Sequence, residues 1–183
     1  MGIYDREYAR GSEPGFHLQA PQTATTQLVI LTFGVYVLQL LFSPYVTNAL
    51  ALRSDWFVRP WQFYQLLTYG FLHSEKDVVH ILVNMVVLWM FGREIEYKYG
   101  RRQFVAFYLT AIVFAGVAWS LIEAAYGYGA DEPPRMVGAS GGISGVVALF
   151  ALNFPHRQVL LMFVIPMPMW VAAVIALLLD AHG

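Results

Sequence analysis

Hydrophobic positions in this chain fall into long runs, and most of the charged residues are confined to the gaps between them. A helix needs about 20 residues to cross the hydrocarbon of a bilayer. Residues 28–42 form the first run, extendable back through Thr25, Thr26 and Gln27 and stopped by Pro44. Residues 78–92 form a second, short for a crossing and carrying His80 and Asn84. The third, 104–122, has 19 residues without a charge. The fourth, 138–154, is also uncharged and is turned by Pro155-His156-Arg157-Gln158. The fifth, 159–179, is interrupted by Pro166 and Pro168. This pattern predicts an all-α fold, a polytopic membrane helical bundle with five spans.

The gaps refine the picture. Residues 43–77 hold Arg53, Asp55, Arg59, Glu75, Lys76 and Asp77 around the aromatic series Trp56, Phe57, Trp61, Phe63, Tyr64, Tyr69 and Phe71. Trp and Tyr favour the headgroup level, so this stretch reads as a structured element lying in the interface. Residues 92–103 read as a charged, solvated turn, with Glu94, Glu96, Lys98, Arg101 and Arg102. Two segments are expected: a polar tail, 1–27, and a membrane domain, 28–183. With the tail inside, the inner segments hold Arg6, Arg10, Arg93, Lys98, Arg101, Arg102 and Arg157, and the outer ones Arg53, Arg59, Lys76 and Arg135. Basic residues collect on the cytoplasmic side, so the N-terminus is expected there, in a bacterial-type inner membrane.

Composition agrees with a membrane protein: 58% hydrophobic and 13% charged, with mean hydropathy +0.53, against roughly 25% charged in soluble domains. A net charge of -1 leaves no basic surface for nucleic acid. Cysteine is absent, which excludes disulfides and a thiolate nucleophile. No His-Glu-x-x-His run occurs, so neither a metal nor a cofactor is implied.

Candidate chemistry lies in Gly138-Ala139-Ser140-Gly141-Gly142-Ile143-Ser144-Gly145. Glycines around Ser140 expose its hydroxyl to close approach. The same glycines equally suit a helix that packs tightly on a neighbour. His80 and Asn84, four apart, share a helix face. Polar groups in a span turn to the bundle interior or a water-filled cavity. With the topology above, His80, Asn84 and Ser140 lie at similar depth, and the first two can donate hydrogen bonds to an oxyanion beside the serine. Interhelical bonding is the plainer alternative. His73 and His156 read as structural histidines, and Met85, Met90, Met162, Met167 and Met169 as packing.

These residues resemble the rhomboid intramembrane serine proteases. The resemblance runs from about residue 28 onward and rests on Trp61-Gln62-Phe63 through Thr68-Tyr69-Gly70-Phe71-Leu72-His73, the His80/Asn84 pair, Phe91-Gly92 with Glu96 and Gly100, Phe104 to Tyr108, and Gly138-Ala139-Ser140-Gly141. It implies that Ser140 is the nucleophile and that His80, Asn84 and the Ser140 N–H form an oxyanion hole. It also implies a cavity opening outward, and substrates that are single-pass transmembrane proteins cut near the outer boundary of the bilayer. A family member without activity would bind such helices uncut. In the family the general base is a histidine in an Ala-His-x-x-Gly run on a sixth span, so five spans of an expected six are present here and the domain is expected to be incomplete at its C-terminus. His182, 42 positions after Ser140, echoes that run superficially. Ser144 stands where many members carry an aromatic residue, and Gln62 follows Trp61 where some have arginine.

Overall fold

A computed structural model of the chain describes residues 23–127, 133–161, 165–169 and 171. The first span is helix α1, Ala24–Phe42, capped by Thr23, whose side chain accepts from the Thr26 N–H. A short helix α2, Tyr45–Leu50, follows. The strand β1, Leu52–Arg53, then leads into the interfacial element. That element is structured as expected: single 3-10 turns at Trp56–Val58, Pro60–Gln62 and Tyr69–Phe71 flank helix α3, Gln65–Thr68. Its side chains bind backbone carbonyls of the preceding segment, Thr68 Oγ1 to Leu50 at 2.8 Å and Tyr64 OH to Ala49 at 3.0 Å. Trp61 and Phe63 remain outside, 68% and 66% exposed, as suits rings at the headgroup level.

Helix α4, Val78–Tyr99, is 22 residues long, and α5, Arg101–Tyr126, is 26. The stretch read as a charged turn is therefore almost wholly helical, and the second span is not short. The chain turns at one residue, Gly100, with φ +87°, which glycine adopts without cost. Strand β2, Arg135–Met136, pairs antiparallel with β1, Leu52 opposite Met136. Helix α6, Ser140–Asn153, then packs against α4 and α5. Among the described residues α1, α4 and α5 are long and apolar enough to cross a membrane, and α6 is a shorter apolar helix.

The fifth expected span differs. Its beginning is a hairpin, β3, Gln158–Leu161, against β4, Ile165–Pro168. Proline lacks an N–H and pushes the preceding residue into extended backbone. Pro166 and Pro168 face Leu160 and Gln158, two positions of the same parity. An antiparallel ladder alternates bonded and non-bonded pairs, so both prolines can take positions that need no donor. The Met169 N–H bound to the Arg157 carbonyl at 2.8 Å fits that alternation. The rest of the expected fifth span lies outside the described residues except for 169 and 171, as do His182 and residues 1–22 of the tail.

Candidate functional site

Ser140 is the first residue of α6. The loop before it is tied to the interfacial element twice: Gly138 N–H donates to the Tyr69 carbonyl at 3.1 Å, and Ser54 N–H donates to that of Pro134 at 3.0 Å. Gly138 has φ +133°, and the turn it makes sets the start of the helix. No side chain caps α6. The first N–H groups of a helix have no partner within it, so those of Ser140 and Gly141, for which no partner occurs among the described residues, can face an anion. Ser140 is half-buried.

The glycines after it serve packing. A Cβ on Gly141 would lie 2.4 Å from Ala115 Cβ, one on Gly142 2.7 Å from Ile112 Cγ1, and one on Gly145 2.9 Å from Ala111 Cβ. Helix α6 is thus pressed backbone-first onto α5. Of the two uses the sequence offered for this run, close helix packing accounts for Gly141, Gly142 and Gly145, and it leaves Ser140 at the helix start.

Asp77 caps α4 by accepting from the His80 N–H at 3.0 Å, which fixes His80 in the first turn. Asn84 lies one turn below. Its Nδ2 is 3.1 Å from Nε2 of His73, and the His73 and His80 rings are 5.9 Å apart, edge to face. His73 belongs to the loop before α4 and is 1% exposed. Gln39 of α1 holds it by the backbone, donating to its carbonyl at 3.1 Å and accepting from its N–H at 3.0 Å. Burial, with the His80 ring second, pulls the His73 pKa down to about 4. It is therefore neutral at pH 7. With Asn84 Nδ2 as donor, His73 Nε2 is the acceptor, and the second Asn84 N–H remains free to donate elsewhere.

The polar pair and the serine come to one level. The ring of Phe91 on α4 meets that of Phe150 on α6 at a tilt, centroids 4.8 Å apart, and Tyr99 OH donates to Asn153 Oδ1 at 2.8 Å, so the two helices run in the same direction. At a rise of 1.5 Å per residue, Asn84 lies about 10 Å and His80 about 16 Å above Phe91, and Ser140 about 15 Å above Phe150. Residues 80, 84 and 91 also fall on one stripe of α4, the stripe that meets α6.

Two residues matter more than their sequence context suggests. His73 was legible as a structural histidine, yet its partner is the candidate residue Asn84. Glu96, read as part of a solvated turn, is 8% exposed. It accepts from Ala24 N–H at 2.7 Å, Thr25 N–H at 2.9 Å and Thr25 Oγ1 at 2.7 Å. A carboxylate at a helix N-terminus meets both the free donors and the positive end of the dipole. Its position four residues before Gly100, where α4 ends, is the one sequence signal that could have suggested an inward role. Among the described residues no cluster of three metal-ligating side chains occurs.

A family model described as the Rhomboid domain matches residues 60–181. Rhomboid protein 1, mitochondrial, of Saccharomyces cerevisiae is 34% identical over 116 residues, which cover 62% of this chain and 33% of that protein. RHOMBOID-like protein 12, mitochondrial, of Arabidopsis thaliana is 31% identical over 153 residues, 77% of this chain and 44% of that one. Rhomboid protease GlpG of Yersinia pestis is 26% identical over 129 residues, 67% and 39% respectively. The chain thus spans under half the length of each of these relatives.

Proposed function

The chain belongs to the rhomboid family, and on that premise we propose that it is an intramembrane serine endopeptidase that cuts transmembrane segments near the outer boundary of the bilayer. The observation that carries the reading is the common level of Ser140, His80 and Asn84 on two packed helices. In this mechanism Ser140 Oγ attacks a peptide carbonyl, and a base takes its proton. The oxyanion is held by the Ser140 N–H, by the Asn84 amide and by His80. The resemblance assigns the base to a histidine of a sixth span. Substrate backbone must be extended to be cut, and lipid offers it no partners, so substrates are helices that unwind readily near the interface.

The Yersinia pestis relative, named a protease, supports the enzymatic reading. The charge pattern supports a cytoplasmic N-terminus. Several relatives are named as mitochondrial, so a bacterial-type inner membrane rests on the charge pattern and the Yersinia relative alone. A second reading is a protein that binds transmembrane helices without cutting them. The test is cleavage of a reporter transmembrane helix by the full-length protein in liposomes. Ser140→Ala is expected to abolish cleavage, and Asn84→Ala to slow it on the order of a hundredfold, the usual effect of losing one oxyanion donor. Cleavage that survives Ser140→Ala would rule out the proposal, and reporter binding without any cleavage would favour the second reading.

A further inference from the structure

The end of the bundle far from Ser140 gathers basic side chains. A cavity of about 1130 Å³ opens there, lined by Arg93, Lys98 and Arg101 together with Trp89, Met90 and Phe154. Its two carboxylates are already occupied. Glu96 is taken by the N-terminus of α1, and Glu94 by Arg157. The three cations, by contrast, have no carboxylate partner among the described residues. Arg93 lies over the Trp89 ring at 4.9 Å, and Lys98 over the Phe154 ring at 5.0 Å. Arg101 donates to the neutral Gln27 Oε1 at 2.6 Å. With Glu94 paired to Arg157, three cations stand against the single Glu96 carboxylate in the lining, and the cavity keeps a net positive charge.

A second cavity, about 520 Å³, shares Arg101. It runs between α1 and α5, with Leu28, Leu31, Val105 and Ala106 as its apolar walls and Arg102 at its basic rim. An inorganic anion has no use for such a trough, whereas an acyl chain does. We propose that this end of the bundle binds an anionic glycerophospholipid, with its phosphate among Arg93, Lys98 and Arg101 and a chain along the α1–α5 trough.

The test is native mass spectrometry of the full-length protein in detergent with equal amounts of phosphatidylglycerol and phosphatidylcholine. Each cation near an anionic headgroup is worth roughly a fivefold preference. Phosphatidylglycerol is expected to be retained at least about tenfold over phosphatidylcholine, and Arg93→Gln/Lys98→Gln/Arg101→Gln to abolish that preference. If the triple variant misfolds, the three single variants carry the test, each losing several-fold. Arg59→Gln, at the opposite end where Arg59 pairs with Asp55 at 3.3 Å, is expected to keep the preference intact. In parallel, phosphatidylglycerol should raise the thermal unfolding midpoint and inorganic phosphate at the same concentration should not. Equal retention of the two lipids, a preference that survives all three substitutions, or stabilisation by phosphate matching that by lipid would each overturn the assignment.

Discussion

Helices α1 and α4 are joined by hydrogen bonds at both ends, whereas α5 and α6 are joined by missing side chains. At one end of the first pair Glu96 binds the start of α1. At the other, Gln39 of α1 holds His73, and His73 meets Asn84 of α4. Between α5 and α6, Gly141, Gly142 and Gly145 bring backbone against Ala115, Ile112 and Ala111. Lipid removes the hydrophobic drive between helices, which leaves polar contacts and close packing as the means of association. The two halves of the candidate site divide along this line. Asn84 is positioned by polar groups and responds to their chemistry; Ser140 rides on a packed helix and responds to volume.

The largest expected effect is at Glu96. Glu96→Ala strands three donors in a buried place, each worth about 1 to 3 kcal/mol, and should cost about 4 kcal/mol in unfolding measured in detergent. Glu96→Gln, which keeps one of the two acceptor oxygens but loses the charge, should cost less. Equal losses for the two would mean that a neutral acceptor contributes nothing and that the charge carries the interaction.

Next comes the packed interface. Gly141→Ala places a methyl 2.4 Å from Ala115 Cβ, and the overpacking should cost about 2 to 3 kcal/mol. Ala115→Gly in the same molecule removes the opposing atom and should restore most of the loss. Failure of that rescue would show that Gly141 is needed for something other than space.

Smaller, and confined to acid, is the effect of His73. Its folded pKa of about 4 lies below the ordinary value of 6.5. The neutral imidazole is therefore favoured by folding, and that stability is fully present above pH 6.5. It is lost as the pH falls from 6.5 toward 4, because the unfolded chain takes up a proton that the folded one refuses. The total is on the order of 3 kcal/mol. Unfolding measured from pH 7.5 to 4.5 should show this decline in the wild type and not in His73→Gln; an identical slope in both would place the titration elsewhere.

Much of the fold was legible because lipid enforces long apolar runs. Spans predicted at 28–42, 78–92, 104–122 and 138–154 correspond to α1, α4, α5 and α6. The boundaries moved where charged residues continue a helix, as Arg93 to Tyr99 do, since a charge ends a lipid-compatible run without ending helical backbone. The paired strands 158–161 and 165–168 were missed for a different reason: apolar runs of strand and of helix look alike, and the two prolines read as interruptions of a span instead of ladder positions. At the candidate site, His80, Asn84 and Ser140 were proposed from spacing, depth and the family resemblance. His73 and Glu96 were not read as key contacts, since their partners, Gln39 and Thr25, lie 34 and 71 positions away, and no local pattern encodes such a contact.

The most direct measurement is labelling of the full-length protein in liposomes with a fluorophosphonate, a probe that reacts with activated serines, followed by peptide mass spectrometry. The account predicts a single adduct on Ser140, greatly reduced in Asn84→Ala. An unlabelled Ser140 in protein whose fold is intact, or an adduct on Ser144 instead, would contradict it.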